Sequence, residues 1–374
     1  MGTSYSPVTP GLEATLNAIC PYFTMFPLEF PLRALSRAVE TKAVVLDPFC
    51  GRGTTNMAGR MLGLSSFGID SNPLAVALTE AKLVDPSPRA IMLELDEILN
   101  GPSDVGQIPG GEFWDRAYNE TTLLAICKVR MALLQDCESS ARVALRAIML
   151  GALHGPVTKQ SPSYLSNQCP RTYAPKPRYS VSYWKKHDLH PPAVNVRELV
   201  ARRAERYYSA SLPKVCSRVV LGDCRDGEVF QRELRECQVD WVITSPPYYG
   251  MRTYRPDQWI RLWFLGGPDM VDYSQQDQLT HESPESFARQ LSEVWKNCAR
   301  VSKPRARMVI RFGQISDRRA DPVDLLRLSL SGTGWRIQTR CDAGSAAMGK
   351  RQANHFGVNS TAKREFDLWA VNTQ

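Results

Sequence analysis

The stretch 43–54, AVVLDPFCGRGT, joins a short apolar run to a turn that contains two glycines. A continuous apolar run of this length is typical of a strand that is buried on both faces of a parallel sheet. Apolar residues at helical spacing follow the turn, and a second strand is predicted over 66–70, SFGID, which ends in an acid. A strand, a glycine-rich turn, a helix and a strand that ends in an acid form the first half of a Rossmann-like sheet.

The rest of the chain continues this alternation, with one long interruption. Helical spacing predicts two packed helices within 112–153, a basic helix over 197–208 and a further helix over 286–301. A basic, proline-rich stretch starts at residue 155, and its first half is expected to be irregular rather than helical. Later strands are predicted over 218–223, 239–244, 307–312, 335–340 and 365–371.

We therefore expect an α/β fold with a Rossmann-like sheet that is built from two parts of the chain. The first part is predicted to span residues 1–85 and the second 214–374. Between them lies a large insertion over 86–213, which mixes helical and irregular segments. No internal repeat interrupts this organisation.

The charge of the chain is concentrated in one segment. The protein has 374 residues, with 46 Lys and Arg against 38 Asp and Glu, which gives a net charge of +8. Residues 155–215 hold eleven basic and three acidic side chains, so this segment alone accounts for the excess. Because aromatic residues are interleaved with it, a nucleic acid is favoured over an anionic membrane. An ordinary solvated charged face remains the alternative.

Cysteine and histidine usage argues against a metal centre. The ten cysteines are scattered without the C-x2-4-C spacing of a zinc or redox site, and the chain has five histidines. Cys169 with His187 and His190 forms one cluster, but it lacks a fourth ligand. Reduced thiols and the lack of a secretory signal pattern predict a cytoplasmic protein. The most apolar helix candidate is interrupted by Arg146, so no membrane association is expected.

The glycine-rich turn after the first strand has the chemistry of a ligand site. Glycines allow the backbone to approach a ligand closely, and the following helix N-terminus favours negative charge such as a carboxylate. An acid at the end of the next strand, here Asp70, suits a ribose diol. A plain strand-to-helix turn is the alternative for this pattern.

A second motif, Ser245-Pro246-Pro247-Tyr248, which we call the SPPY segment, follows the predicted strand 239–244. The two prolines fix an extended backbone and lack N–H groups, so the carbonyl oxygens there can accept hydrogen bonds. Tyr248 offers a flat aromatic face beside them. This combination suits an exocyclic amino group on a planar base, whereas the alternative is a Pro-Pro turn with a surface tyrosine.

These two motifs resemble those of a known family. Residues 47–54 and 244–248 are similar to motifs I and IV of the S-adenosylmethionine-dependent amino-methyltransferases, which methylate N4 of cytosine or N6 of adenine in DNA. The resemblance covers roughly 20–85 and 215–370 and implies a class I methyltransferase sheet with motif I before motif IV. Further similar segments are Phe26-Pro27-Leu28-Glu29-Phe30-Pro31 (motif X), Asp70 with Asn72-Pro73 (motif II) and Gly222-Asp223 (motif III).

The resemblance implies S-adenosyl-L-methionine as the cofactor and assigns roles around it. Asp70 would bind the ribose, and Asp223 the adenine amino group. Phe26 and Pro27 would help to close the methionine end. The motif I and motif II residues implied at this site are Asp47, Pro48, Phe49, Gly51, Gly53, Thr54 and Asn72, of which Phe49, Gly51, Gly53 and Thr54 would surround the methionine portion.

The same resemblance implies how the target amino group is handled. The Ser245 hydroxyl and the Pro246 carbonyl would accept its hydrogen bonds, Pro247 would keep the segment extended, and Tyr248 would stack on the base. The rate enhancement would come from positioning and electrostatics rather than from a strong base. The base must leave the duplex, because its amino group is otherwise paired.

The leading serine of the motif favours the cytosine-N4 enzymes, with adenine-N6 as the alternative. An RNA base methyltransferase and a nucleic-acid-binding protein without catalysis are the other readings left open. Cytosine carbon-5 methylation is largely excluded, because it needs a Pro-Cys dipeptide that the chain lacks.

The resemblance implies double-stranded DNA as the partner and the insertion as a candidate target-recognition region. The insertion departs from the family pattern, because it lies between the motif II-like and motif III-like segments. Site-specific host modification, with a partner restriction endonuclease, is an expectation from the family alone. Residues predicted to contact DNA are Lys185, Lys186, Arg202, Arg203 and Arg206 on phosphates, Arg252 and Tyr254 at the opened duplex, and Lys350 and Arg351 on its other side.

Overall fold

The computed structural model describes residues 11–22, 26–36, 38–39, 42–102, 105–156, 162–169, 176–234, 238–250, 256–272, 279, 282–313, 320–345 and 364–374. The chain divides into two compact units. The sheet unit comprises Tyr22–Leu83, Pro213–Pro256 and Val271–Gln374, and the helical unit comprises Met1–Pro21, Val84–Leu212 and Asp257–Met270. The boundaries predicted at 86 and 213 lie next to those observed at 84 and 212. Residues 1–21 and 257–270, which were expected in the catalytic part, belong to the helical unit.

The strands of the sheet unit are Val45–Asp47 (β1), Ser66–Asp70 (β2), Arg218–Leu221 (β3), Val239–Thr244 (β4), Ser302–Gly313 (β5), Trp335–Ser345 (β6) and Arg364–Asn372 (β7). They form one sheet in the order β3-β2-β1-β4-β5-β7-β6. Strands β1 to β5 pair in parallel, whereas β7 is antiparallel to both of its neighbours. The order reverses between β1 and β4, which is the point where such sheets bind ligands at their carboxyl edge. This arrangement confirms the predicted Rossmann-like sheet.

The α-helices of the described residues are Glu29–Leu35 (α1), Thr54–Met61 (α2), Pro73–Leu83 (α3), Pro88–Asn100 (α4), Glu112–Ala117 (α5), Glu120–Gln135 (α6), Ser140–Ala152 (α7), Pro177–Lys186 (α8), Val196–Tyr208 (α9), Gly227–Leu234 (α10), Trp259–Phe264 (α11), Pro284–Val301 (α12) and Pro322–Leu330 (α13). Short 3-10 helices span Leu12–Ala18 and Pro256–Gln258. Helices α4 to α9 and α11 belong to the helical unit, and the other α-helices belong to the sheet unit. No helix in the described ranges is long and apolar enough to cross a membrane.

The central strands are buried because the helices of the sheet unit cover them. All three residues of β1 are buried, and five of the six residues in β4 are buried. A two-sided apolar environment of this kind explains why both strands are mainly apolar in sequence, with Asp240 in β4 as an exception. Trp295 of α12 is fully buried in the same core, where its indole N–H donates to Ser329 Oγ at 3.0 Å.

The helical unit has an aromatic core of its own. Trp114 packs against Trp263 with ring centroids 4.6 Å apart, and Phe113 packs against Trp259 at 5.0 Å. Both Trp259 and Trp263 lie on α11. This packing is the physical reason why residues 257–270 belong to the helical unit although they follow the SPPY segment in the chain.

One local prediction was wrong. The proline-rich segment expected to be irregular contains the ten-residue helix α8, which starts at Pro177. Proline fits the first position of a helix, because the N–H it lacks has no intrahelical partner there and its φ is already helical. Helices α4, α12 and α13 begin in the same way, after a Ser or Asp whose side chain accepts a backbone N–H.

Candidate active site

The turn between β1 and α2 depends on its two glycines. Gly51 and Gly53 have φ angles of +52° and +75°, in the left-handed region that other residues rarely adopt. A Cβ at Gly53 would lie 2.6 Å from Thr79 Oγ1, so a side chain is also excluded by space. The fully buried Lys82 of α3 donates from its ammonium group to the carbonyl of Arg52. The turn is therefore fixed at a helix N-terminus, where backbone N–H groups lack intrahelical partners.

Asp70, at the carboxyl end of β2, holds this turn in place. Its Oδ2 accepts a hydrogen bond from the Gly51 amide at 2.8 Å, and its Oδ1 accepts one from the Asn72 amide at 2.9 Å. The backbone carbonyl of Asp70 accepts from the Gly222 amide at 3.0 Å, so the end of β3 lies beside it. The acid predicted to bind ribose thus also fixes the glycine-rich turn.

Asp223, predicted to bind the adenine amino group, is paired with a residue that sequence reasoning did not consider. Arg225 Nε lies 2.9 Å from Asp223 Oδ2 and its Nη2 lies 2.5 Å away, while the Arg225 amide donates to Oδ1 at 2.8 Å. Burial alone would raise the pKa of Asp223, but the hydrogen bonds and charge of Arg225 outweigh it and lower the pKa. Arg225 is itself anchored by Gln290 Oε1 at 2.8 Å.

Asp47 connects the glycine-rich turn to the SPPY segment. Its Oδ1 accepts hydrogen bonds from the Thr244 hydroxyl at 2.6 Å and from the Phe49 amide at 3.1 Å. The side chain is fully buried, and within the described residues its Oδ2 has no hydrogen-bond partner. Burial raises the pKa of Asp47 to about 6, although the hydrogen bond from Thr244 opposes the shift. A second link runs from Thr55 Oγ1 of α2 to the carbonyl of Ile243 at 3.3 Å.

The SPPY segment leaves β4 at the carboxyl edge of the sheet. Pro246 is buried, whereas Ser245, Pro247 and Tyr248 are partly exposed. The Tyr248 ring packs edge-on against Phe312, with centroids 5.2 Å apart, and its hydroxyl donates to Glu365 Oε1 at 3.0 Å. Burial and the nearby carboxylate of Glu365 raise the pKa of Tyr248 well above its usual range, so this hydroxyl stays protonated.

The motif X-like residues lie beside the sheet, where their side chains pack against one another and against β5. Phe26 is buried and meets Phe30 edge-on at 5.2 Å. The Arg311 guanidinium of β5 lies 3.8 Å from the centre of the Phe30 ring and forms a two-bonded ion pair with Asp367. Pro27 is half-buried, and its carbonyl accepts from the Phe30 amide at 3.1 Å. Phe26 is thus positioned by an ordered core.

Of the remaining motif I residues, Pro48 and Thr54 are buried. Phe49 is partly exposed, and its ring lies 6.2 Å from that of Trp295. The predicted residues Asp47, Gly51, Asp70, Asp223 and Ser245 all lie at or just beyond the carboxyl ends of β1 to β4. The sheet therefore brings them to a single edge.

The residues at this edge fit S-adenosyl-L-methionine. The unpartnered, buried Asp47 Oδ2 is an acceptor left for a donor such as an ammonium group. At Gly51 an added Cβ would meet only Tyr22 at 3.8 Å, so the backbone is open to close approach. Asp70, Asn72 and Asp223 follow on the neighbouring strands, in the order in which a nucleoside is held across such a sheet.

A separate cavity of about 750 Å³ lies between α10 and α12. Phe230, Arg232, Asn297 and Arg300 are among its lining residues. None of the motif residues lines it, so the cavity gives no support to the candidate site.

The predicted DNA contacts of the helical unit fall into two groups. Arg203 is half-buried: its guanidinium donates to the carbonyl of Ser163 at 2.7 Å and lies over the Tyr164 ring at 5.3 Å. Arg202 is exposed, but it donates to the carbonyl of Pro162 at 2.7 Å. These two guanidinium groups therefore stabilise the segment 162–164.

Lys185, Lys186 and Arg206 are exposed. Lys185 forms an ion pair with Glu112, and Arg206 lies over the Tyr207 ring at 5.5 Å. Within the described part of the chain Lys186 has no ion-pair partner. Arg252, Tyr254, Lys350 and Arg351 lie outside the described residues, so their predicted roles stay predictions.

Thr244 was included in the motif IV-like segment, but sequence reasoning gave it no role. Two further residues at the site, Arg225 and Glu365, were missed. Arg225 lies two residues after Asp223, at a spacing that allows a local ion pair. Glu365 is 117 residues from Tyr248, and no local pattern connects them.

Residues 7–81, about a fifth of the chain, match the family model described as DNA methylase, of the N6/N4 type. The chain is also similar to solved structures at low identity. These include the rRNA methyltransferase aviRa from Streptomyces viridochromogenes, with 12% identity, a TM-score of 0.37 and coverage of 96% of this chain and 92% of that chain. Another is a SAM-dependent methyltransferase from Agrobacterium tumefaciens, with 13% identity, a TM-score of 0.35 and coverage of 92% and 62%.

A search of curated proteins found no match. The family match nevertheless confirms the resemblance inferred from the sequence. Residues 7–81 of this chain, which include the motif X-, I- and II-like segments, are thus similar to the DNA methylase family that modifies N4 of cytosine or N6 of adenine.

Proposed function

We propose that this protein is a site-specific DNA methyltransferase, which transfers a methyl group from S-adenosyl-L-methionine to the exocyclic amino group of a flipped base. The observation that carries the proposal is the 2.6 Å hydrogen bond between Thr244 and Asp47. It joins the strand end that leads into Ser245-Pro246-Pro247-Tyr248 to the strand end that leads into the glycine-rich turn. The residues that we propose for the cofactor and for the target base therefore include neighbours at the carboxyl ends of the adjacent strands β1 and β4.

Different residues are proposed to bind different parts of the cofactor. Asp47 Oδ2 and the backbone around Gly51 and Gly53 would hold the methionine portion, and Phe49 would pack beside it. Asp70 would bind the ribose hydroxyls, and Asp223, oriented by Arg225, the adenine amino group. When bound, the cofactor supplies an electrophilic methyl group on a sulfonium.

The SPPY segment handles the target base. The Ser245 hydroxyl and the Pro246 carbonyl accept hydrogen bonds from the target amino group, which directs its nitrogen lone pair away from the ring. Pro247 keeps these acceptors in an extended segment, and the Tyr248 ring stacks on the base. Catalysis then rests on position and on fixed dipoles, since a carboxylate base is not required for this transfer.

The leading Ser245 favours N4 of cytosine as the target atom, and N6 of adenine is the alternative. Lys185, Lys186 and Arg206 are exposed cations suited to DNA phosphates. Arg202 and Arg203 contribute less, because backbone carbonyls already engage both guanidinium groups. A role in host DNA modification, with a partner restriction endonuclease, is proposed from the family resemblance alone.

Expression in a methylation-free bacterial host tests the proposal. Single-molecule sequencing of the host genome should reveal a new methylated base within one short sequence, and mass spectrometry of hydrolysed DNA should identify it as N4-methylcytosine. Detection of N6-methyladenine instead would change the assigned target base from cytosine to adenine but would support the same type of methyl transfer. The Ser245→Ala variant, produced at equal level, should leave no mark. Labelling of RNA but not of DNA by the purified enzyme would overturn the assignment of substrate.

A further inference from the structure

Helix α8 of the helical unit has one face fixed in the core. Its buried residues Ser180 and Trp184 are four apart, so they share a side of the helix. The Trp184 ring lies 5.8 Å from Phe113, and its indole N–H donates to the carbonyl of Gln168 at 3.0 Å. The rotation of α8 about its axis is therefore set, and the side chains that it presents outward are defined.

Beside this buried face, α8 and the residue that follows it carry three rings in a row. Tyr179 and Tyr183 are nearly parallel, with an interplanar angle of 23° and centroids 6.3 Å apart. The His187 ring lies 4.5 Å from that of Tyr183. Tyr179 is 54% exposed, and His187 is also exposed. We call Tyr179, Tyr183 and His187 the aromatic ladder.

Exposed cations accompany the aromatic ladder. With 100° of rotation per residue, Arg178 and Lys186 lie on the side of the ladder away from Ser180 and Trp184, and both are exposed. Between residues 176 and 190 the chain has four Lys or Arg against the single acid Asp188. This surface is complementary to a polyanion.

The chemistry of the rings indicates which class of polyanion this surface binds. Tyr179 is the only large apolar side chain of α8 among the strongly exposed ones, and its ring carries a hydroxyl. A membrane-binding helix needs a continuous apolar face, which α8 lacks. Stacked aromatic faces beside cations are instead the elements with which proteins bind unpaired nucleotides, because every base has a flat face and every nucleotide a phosphate.

We propose that the aromatic ladder, with Arg178 and Lys186, binds an unpaired stretch of a nucleic-acid strand. The rings stack on bases, and the two cations contact the flanking phosphates. The inference deepens the proposed function, since an enzyme that extrudes a base must leave DNA locally unpaired. It specifies a surface that distinguishes a single strand from an intact duplex.

Fluorescence anisotropy with one labelled DNA sequence, as a single strand and as a duplex, tests this surface in the full-length protein. The double variant Tyr179→Ala/Tyr183→Ala should bind the single strand about tenfold more weakly, within the range of stacking on one base. Its duplex affinity should change less than about twofold. Tyr179→Phe/Tyr183→Phe, which keeps both rings, should bind like the wild type and controls for folding.

The salt dependence separates stacking from charge. Arg178→Gln/Lys186→Gln should lower the slope of log affinity against log salt for the single strand by about 1.4, because about 0.7 is expected per phosphate contact. The alanine double variant should leave that slope unchanged. Equal loss on both forms of DNA, or wild-type affinity of the alanine variant, would overturn the proposal. If only Arg178→Gln/Lys186→Gln weakened single-strand binding, the surface would bind acidic partners in general. That result would also overturn the proposal.

Methyl transfer, measured on the same preparations, keeps this inference distinct from the proposed function. Wild-type protein that binds single strands through the ladder but methylates no DNA would contradict the proposed function and leave the ladder intact. If the wild type methylated DNA normally and the alanine variant bound the single strand as the wild type does, the ladder proposal would be contradicted and the proposed function would stand.

Discussion

The sheet unit and the helical unit use their charged side chains in different ways. At the carboxyl edge of the sheet, Asp47, Asp70 and Asp223 each bind a neighbour on an adjacent strand or turn, at distances between 2.5 and 3.1 Å. In the helical unit some cations stabilise the fold, as Arg203 does, and others, such as Lys186, face solvent. The acids picked out by the motif patterns therefore share one edge of the sheet, whereas the basic residues counted in the helical unit include Arg202 and Arg203, whose guanidinium groups donate to backbone carbonyls.

The largest expected effect tests the sheet edge directly. Ser245→Ala removes a hydrogen-bond acceptor for the target amino group, so kcat should fall by about 100- to 1000-fold, the cost of one lost electrostatic contact to a transition state. Single-turnover methylation at saturating cofactor measures it. Tyr248→Phe, which keeps the stacking ring and loses the hydroxyl that contacts Glu365 and Ser245, is the matched control and should retain most of the activity. A Ser245→Ala enzyme with normal kcat would place catalysis elsewhere.

A second test concerns the buried acid of the sheet unit. The pKa of Asp47 is about 6 in the folded state against 3.8 as the ordinary value, so the folded protein binds more protons between these pH values. The contribution of Asp47 to stability should therefore fall by about 3 kcal/mol as pH rises from about 3 to about 7. Urea unfolding of wild type and Asp47→Asn at several pH values isolates this contribution. Parallel stability curves for the two proteins would show that Asp47 titrates normally.

The link between the two motifs gives a third test. Thr244→Val removes the hydroxyl that donates to Asp47 but keeps the shape, whereas Thr244→Ser keeps the hydroxyl. We expect kcat to fall about tenfold in the valine variant, because a hydrogen bond to a charged group contributes about 1.5 kcal/mol at the lower end of its usual range. The serine variant should recover it. Cofactor affinity, measured by calorimetry, should change less than about twofold in both; a loss of cofactor binding alone would assign Thr244 to the cofactor turn instead.

The smallest effects distinguish the two groups of cations. Arg203→Ala should lower the free energy of unfolding by about 1–2 kcal/mol, since it removes the hydrogen bond to the Ser163 carbonyl and the cation over the Tyr164 ring, without changing the salt slope of DNA binding. Arg206→Ala should change stability by less than about 0.5 kcal/mol and lower that slope by about 0.9. Thermal melts and anisotropy titrations measure the two quantities. If both variants behaved alike, the division of the helical unit into structural and exposed cations would be wrong.

The sequence predicted the sheet better than the insertion for a physical reason. Strands β2 and β4 have the predicted bounds 66–70 and 239–244, because an apolar run ended by an acid or a Pro-Pro pair carries both its type and its end. Helix α8 was missed, because a proline at a first helical position is indistinguishable by count from one that breaks a helix. The Tyr248–Glu365 bond depends on β7 pairing with β5, a non-local event.

The hydrogen bond between Asp47 and Thr244 spans 197 residues of chain. During synthesis, the segment that matches the family model, 7–81, leaves the ribosome well before β4 exists. Strand β1 then lacks its neighbour β4, and the carboxylate of Asp47 lacks its donor Thr244. A nascent chain therefore contains its complete glycine-rich turn early, whereas the SPPY segment reaches the same edge of the sheet only when β4 pairs with β1. Truncation before residue 239 should yield a protein without methyl transfer, however well its first half folds.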